Sequence, residues 1–138
     1  MKKFIIAAAL LLFPFLAQAK SSSKGDDTRI TYIGRTSLQN GTASFDWSGV
    51  TMIVEFEGTS LTILATDTKT NSFNVWVDKE PSYKSDNVIN LNGSKIIVKG
   101  LARGKHTIIL QKRTEGEQGT TVIKTLSTDG TFLQARPL

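Results

Sequence analysis

From Arg29 onward, short runs rich in Ile, Val, Thr, Phe and Tyr recur, separated by Gly, Asn, Asp or Ser. A spacing of about ten residues constrains the fold more than any other feature, because it suits strands and leaves no room for long helices. The runs cover residues 29–35, 43–47, 51–57, 60–66, 72–78, 87–91, 95–101, 105–113, 120–127 and 131–135. Several alternate with period two. Met52, Val54 and Phe56 share one face, Leu61, Ile63 and Ala65 another, and Phe73, Val75 and Val77 a third. Asn40-Gly41 and Asn92-Gly93 are strong tight-turn signals, and Asp129-Gly130 between the last two runs is a third. No segment shows a sustained helical period with caps. The sequence predicts an all-β chain folded as an antiparallel two-sheet β-sandwich.

The N-terminus has a different texture. Lys2 and Lys3 precede an almost unbroken apolar run from Phe4 to Leu16, and Ala17-Gln18-Ala19 follows. That is the pattern of a secretory signal peptide over residues 1–19, cleaved before Lys20. The run is too short to favour a membrane-spanning helix, so no membrane anchor is expected. The predicted location is the periplasm or the medium, with no Cys after the leader to carry a lipid. Residues 20–28, polar and poor in apolar groups, read as a flexible lead-in. The folded domain is expected over 29–135, with 136–138 a C-terminal linker stub. The formal charge of +5 falls to +3 once Lys2 and Lys3 leave with the leader.

The chain has no cysteine, which excludes disulfides, thiolate metal sites and a Cys nucleophile. His106 is the single histidine, which argues against zinc, and no cofactor is expected. Serines are plentiful, but none sits in G-x-S-x-G, and there is no Gly-Asp-Ser block. His106 alternates with Ile108 and Leu110 and reads as a packed or edge residue rather than a base. Glu55 and Glu57 point away from an apolar strand face and read as a solvated sheet surface.

Aromatic side chains offer platforms for sugar rings. Trp76 breaks the Phe73/Val75/Val77 face and projects to the other side of its strand. It is a ligand platform if that side meets solvent and ordinary packing if it is covered. Tyr83 is a second candidate, whereas Trp47, before Ser48-Gly49, reads as packing at the core edge. Lys95, Lys99, Arg103, Lys105, Lys112 and Arg113 occur without an intervening acid. They form either scattered cations on a solvated hairpin or an anion site; nucleic acid is not expected, because no aromatic–basic motif is interleaved.

Taken in order, the blocks at 32–36 (YIGRT), 45–63 (FDWSGVTMIVEFEGTSLTI), 73–78 (FNVWVD), 100–116 (GLARGKHTIILQKRTEG) and 119–126 (GTTVIKTL) resemble the N-terminal jelly-roll domain of carbohydrate esterase family 2. The resemblance covers nearly all of the chain after the leader. It implies a jelly-roll sandwich that accompanies an SGNH acetyl esterase domain, in cis or in trans, acting on plant polysaccharides such as acetylated xylan or glucomannan. The family's nucleophile and catalytic histidine lie in that second domain, so no catalytic residue transfers to this sequence. The implied function is an exported, non-catalytic accessory domain. The alternatives are a truncated or split acetyl esterase and a protein-docking module. Trp76, Tyr83, Lys112, Arg113 and Glu115 are the candidate substrate-binding residues. For Lys112-Arg113-Thr114-Glu115 the resemblance implies a structural role first and a sugar-binding role second.

Overall fold

The computed structural model describes residues 20–82, 84–85, 87–91 and 95–138. The expected leader, Tyr83 and the Asn92-Gly93 turn lie outside the described residues. Among the described residues there are twelve strands: β1 (Ser21–Lys24), β2 (Thr31–Ile33), β3 (Ser37–Gln39), β4 (Thr42–Phe45), β5 (Thr51–Gly58), β6 (Leu61–Asp67), β7 (Ser72–Val77), β8 (Asn87–Asn90), β9 (Lys95–Val98), β10 (Gly104–Lys112), β11 (Thr121–Thr128) and β12 (Thr131–Leu133). One turn of 3-10 helix, Gly116–Gln118, interrupts them.

The strands form two antiparallel sheets. The first has the order β3-β4-β11-β6-β9, with β1 also on β11; the second is β12-β5-β10-β7-β8, with β2 also on β5. This is the sandwich that the alternation predicts. Met52, Val54, Phe56, Leu61, Ile63, Ala65, Phe73 and Val75 meet between the sheets in one buried cluster with Ile108, Leu110, Ile123 and Leu126. Each large apolar side chain so buried contributes about 1.5–3 kcal/mol.

Asn40-Gly41 makes the expected tight hairpin between β3 and β4. Both residues have positive φ (53° and 79°), and Gln39 pairs with Thr42 across the turn. Asp129-Gly130 behaves differently: it carries the chain from the first sheet to the second. Asp129 accepts hydrogen bonds from the amides of Thr59 (2.8 Å) and Ser60 (3.2 Å) and from the Thr59 hydroxyl. The β11–β12 crossing is thereby tied to the β5–β6 turn. A side chain at Gly130 would place its Cβ 1.7 Å from the Glu57 carbonyl oxygen.

The flexible lead-in expected over 20–28 is corrected by the structure. Ser21–Lys24 pairs in register with Thr125–Thr128 of β11. The Gly25 amide donates to the carbonyls of Gly41 and Lys124 (3.0 and 2.9 Å), and Asp26 accepts from the Gly41 amide (2.9 Å). Asp27 chelates the Arg29 guanidinium, at 3.0 Å to Nε and 2.9 Å to an Nη. The segment has little apolar surface because it is held by backbone pairing and carboxylate contacts.

Trp76 is corrected likewise. Its strand alternation is as expected, but the outer side of β7 is covered. Trp76, Ile53, Ile109 and Ala135 form a second buried cluster there, and the indole N–H donates to the Lys84 carbonyl (3.2 Å). Only 2% of Trp76 is exposed, so it is a packing residue and no ligand platform.

Candidate functional site

The best-organised polar region lies where β4 and β10 end and β7 begins. Phe45, the last residue of β4, anchors in the core with its ring edge-on to Phe73. The chain then leaves the sheet as Asp46-Trp47-Ser48-Gly49 before β5 begins. Gly49 adopts φ +84°, a backbone state that favours glycine. The turn is held from β10: the Gly49 amide donates to the Lys112 carbonyl (2.8 Å), and the Lys112 amide donates to the Val50 carbonyl (2.9 Å).

The Lys112 side chain completes the arrangement. Its ammonium donates to three backbone carbonyls, those of Asp46 (2.8 Å), Thr114 (2.7 Å) and Glu115 (3.3 Å). An ammonium has three protons, so its donor capacity is filled. Lys112 is 1% exposed, and burial pushes its pKa below the ordinary value of 10.5; Asp67, Asp46 and Glu115 act in the opposite direction. The Ser48 hydroxyl adds a hydrogen bond to the Glu115 carboxylate (3.2 Å).

A second layer supports the first. Thr114 donates from its hydroxyl to Asn71 Oδ1 (2.5 Å). Asn71 Nδ2 donates to Asp67 Oδ1 (3.0 Å) and to the Gly119 carbonyl (3.2 Å), and Thr121 donates to the same Asp67 oxygen (2.5 Å). No buried side-chain N or O among the described residues lacks a partner. A satisfied network of this kind rigidifies the loops that it joins.

The two tryptophans exchange the places that the sequence implies. Trp47 is 54% exposed, raised on this anchored turn. A shallow pocket of about 190 Å³ reaches Asp46, the residue before it, and is lined by Arg35, Ser37, Ser44, Phe45, Asp46 and Thr120. The sequence signal for Trp47 was the turn itself, since Ser48-Gly49 ends strand alternation before the indole could face the core. Of the other candidates, Arg113 and Glu115 are exposed at the same end. Lys112, for which the resemblance put a structural role first, is an internal tie: its ammonium is enclosed by carbonyls, which removes it from the candidate sugar ligands. Its five companions in the basic run, Lys95, Lys99, Arg103, Lys105 and Arg113, are exposed.

His106 stands apart, against Phe56 at a centroid distance of 5.8 Å. Its Nδ1 lies 2.6 Å from the Asp78 carboxylate and its Nε2 lies 2.5 Å from the Ala102 carbonyl. Both partners accept, so the pair is best satisfied by the doubly protonated ring. The Ala102 carbonyl first and Asp78 second hold the His106 pKa above 6.5. Asp78 also lines a cleft of about 620 Å³ on the outer face of the second sheet, with Glu55, Lys105, Thr107 and Arg136. Glu55 is not the freely solvated group expected: its side chain is 14% exposed and accepts from the Arg136 amide (3.3 Å). Among the described residues, no group of three His, Asp or Glu side chains could hold a metal ion, and no helix is long and apolar enough to cross a membrane.

The profile of the carbohydrate esterase 2 N-terminal family matches residues 32–137. The chain belongs to that family. A search of curated proteins returned no match. Among solved structures, this carbohydrate esterase 2 N-terminal domain is similar to a family two carbohydrate esterase from Cellvibrio japonicus. The TM-score is 0.75 at 23% identity, covering 87% of this chain and 36% of the esterase. A family two carbohydrate esterase from Clostridium thermocellum, solved in complex with cellohexaose, gives 0.67 at 27% identity, covering 78% of this chain and 34% of its own. A low affinity xylan binding module from Roseburia intestinalis shares the fold at TM-score 0.54 and 12% identity, covering 86% of this chain and 96% of the module. The chain therefore spans about a third of the length of the two esterases, and nearly the whole of the binding module.

Proposed function

We propose that this domain is the non-catalytic, polysaccharide-contacting part of an exported carbohydrate esterase system, with acetylated xylan or glucomannan as its target. The observation that carries this reading is Trp47. A large indole, 54% exposed on a turn fixed by hydrogen bonds, is a ready stacking surface for a pyranose ring. The hydroxyls and charges of Ser44, Asp46 and Arg35 line the pocket that begins at the residue before Trp47 and can meet ring hydroxyls. Membership of the family and the fold shared with a xylan binding module support an accessory role.

The test is binding of the domain from Lys20 onward to a panel of acetylated and deacetylated xylans and glucomannans, with an esterase assay on the same sample. Binding without hydrolysis is expected. Trp47→Ala should weaken binding about tenfold and leave the fold intact. Binding that survives this substitution would move the contact elsewhere, and hydrolysis by the domain alone would refute the non-catalytic reading.

A second reading concerns the partner. The match to about a third of each esterase favours action together with an SGNH esterase domain, in cis or in trans. Adding such a domain should raise deacetylation of insoluble xylan more than of a soluble acetyl ester. Export is proposed from the leader pattern. N-terminal sequencing of the secreted product should start at Lys20.

A further inference from the structure

Three anchors of the turn that lifts Trp47 come from one short segment of β10 and its following loop, and the Thr51 hydroxyl of β5 adds a fourth by donating to the Gly49 carbonyl (3.0 Å). The Asp46 carbonyl meets the Lys112 ammonium, the Gly49 amide meets the Lys112 carbonyl, and the Ser48 hydroxyl meets the Glu115 carboxylate. Trp47, between them, carries the large exposed apolar side chain of the turn. The same ammonium also gathers the carbonyls of Thr114 and Glu115, so one buried cation joins two loops that are 66 and 2–3 residues from it in sequence. Loop carbonyls converging on a point need hydrogen-bond donors there, and the chain supplies three from one ammonium.

We infer that Lys112 and Glu115 form an internal clamp that holds the 46–49 turn rigid and so pre-positions Trp47 for a ligand. The ligand class, a neutral β-linked pyranose chain, rests on the function proposed above; the clamp rests on geometry alone. Lys112 is then a positioning residue that never touches sugar. A platform ordered before binding loses less conformational freedom when the sugar arrives, which strengthens binding without adding a contact.

The chain has two tryptophans, so its NMR spectrum carries two indole N–H signals. Trp76 is buried and reports the fold; Trp47 reports the turn. In the parent domain, 15N relaxation should show the Trp47 backbone as ordered as the neighbouring strands. Lys112→Met should loosen residues 46–49 and 114–115 while the Trp76 signal keeps its position. Cello- and xylo-oligosaccharide affinity should then fall about fivefold to tenfold. Ser48→Ala combined with Glu115→Ala, changes outside the core, should produce a milder form of both effects. That pair also serves if Lys112→Met displaces the Trp76 signal. An unchanged turn in both variants would overturn the clamp. A loosened turn with unchanged affinity would overturn its role in positioning. If the parent domain binds no oligosaccharide, the functional reading fails, and relaxation alone still decides whether the clamp exists.

Discussion

Lys112 can remain charged at 1% exposure because its three protons meet three backbone carbonyls. Burial still dominates and lowers its pKa from 10.5. The sign follows from linkage: below the lowered pKa the folded state bears the cost of a buried charge, and that cost disappears as pH rises toward 10.5. The lysine's contribution to stability therefore increases with pH over that upper range. Replacing it with Met removes the buried charge but orphans carbonyls, and the second effect should prevail. We expect a loss of about 3 kcal/mol in urea unfolding at pH 7. A gain in stability would mean that water satisfies those carbonyls. The tryptophans give a sharper contrast. Trp76→Ala should cost about 3–5 kcal/mol, as for other buried aromatics, whereas Trp47→Ala should stay within about 0.5 kcal/mol of the parent. Equal losses at the two positions would contradict the exposures of 2% and 54%.

Connections between the sheets hang on small groups at fixed places. Asp129, at the crossing from β11 to β12, receives two amides and a hydroxyl from the β5–β6 turn, and these lower its pKa from 3.8 to about 2. A carboxyl depressed in this way adds stability above its unfolded value and loses it as pH falls through the folded one. Thermal melts should therefore lose stability between pH 4 and pH 2, and Asp129→Asn should flatten that part of the profile. His106 works in the opposite direction: its stabilisation is full below 6.5 and fades as pH rises through its elevated pKa. An NMR titration of the single histidine should have its midpoint above 6.5, and Asp78→Asn should lower it. How far such elements were legible depended on what holds them. Strands β5, β6 and β10 could be read because their side chains alternate against the core. Strands β1 and β3 could not, because Ser21–Lys24 and Ser37–Gln39 bury almost nothing and are held by backbone pairing. For Trp76, alternation gave the correct side of β7, but the residues that cover that side, Lys84 and Ala135, are distant in sequence or in a loop. A structural role for Lys112 was legible through the resemblance, but its partners were not, since backbone carbonyls carry no sequence signature.

At the scale of the molecule, the two ends of the folded region close the sandwich from outside. The N-terminal strand adds to β11 of one sheet, and residues after β12 run across the outer face of the other. There the Ala135 amide donates to the Arg29 carbonyl (2.9 Å), the Thr31 hydroxyl donates to the Ala135 carbonyl (3.3 Å), and the Ala135 methyl packs with Ile53, Trp76 and Ile109. Beyond it the contacts thin out: Arg136 reaches Glu55 with its side chain 87% exposed, and Leu138 is 58% exposed. The fold should therefore end between Ala135 and Arg136, although the family match runs to residue 137. Deleting residues 136–138 should change stability by less than about 0.5 kcal/mol. Deleting 134–138 removes two backbone anchors and uncovers an apolar cluster, and should cost about 2–3 kcal/mol. Trp76 reports which event has occurred, because its buried indole emission should shift to the red only when Ala135 is gone. A red shift on removing 136–138 alone would instead make the last three residues part of the folded domain.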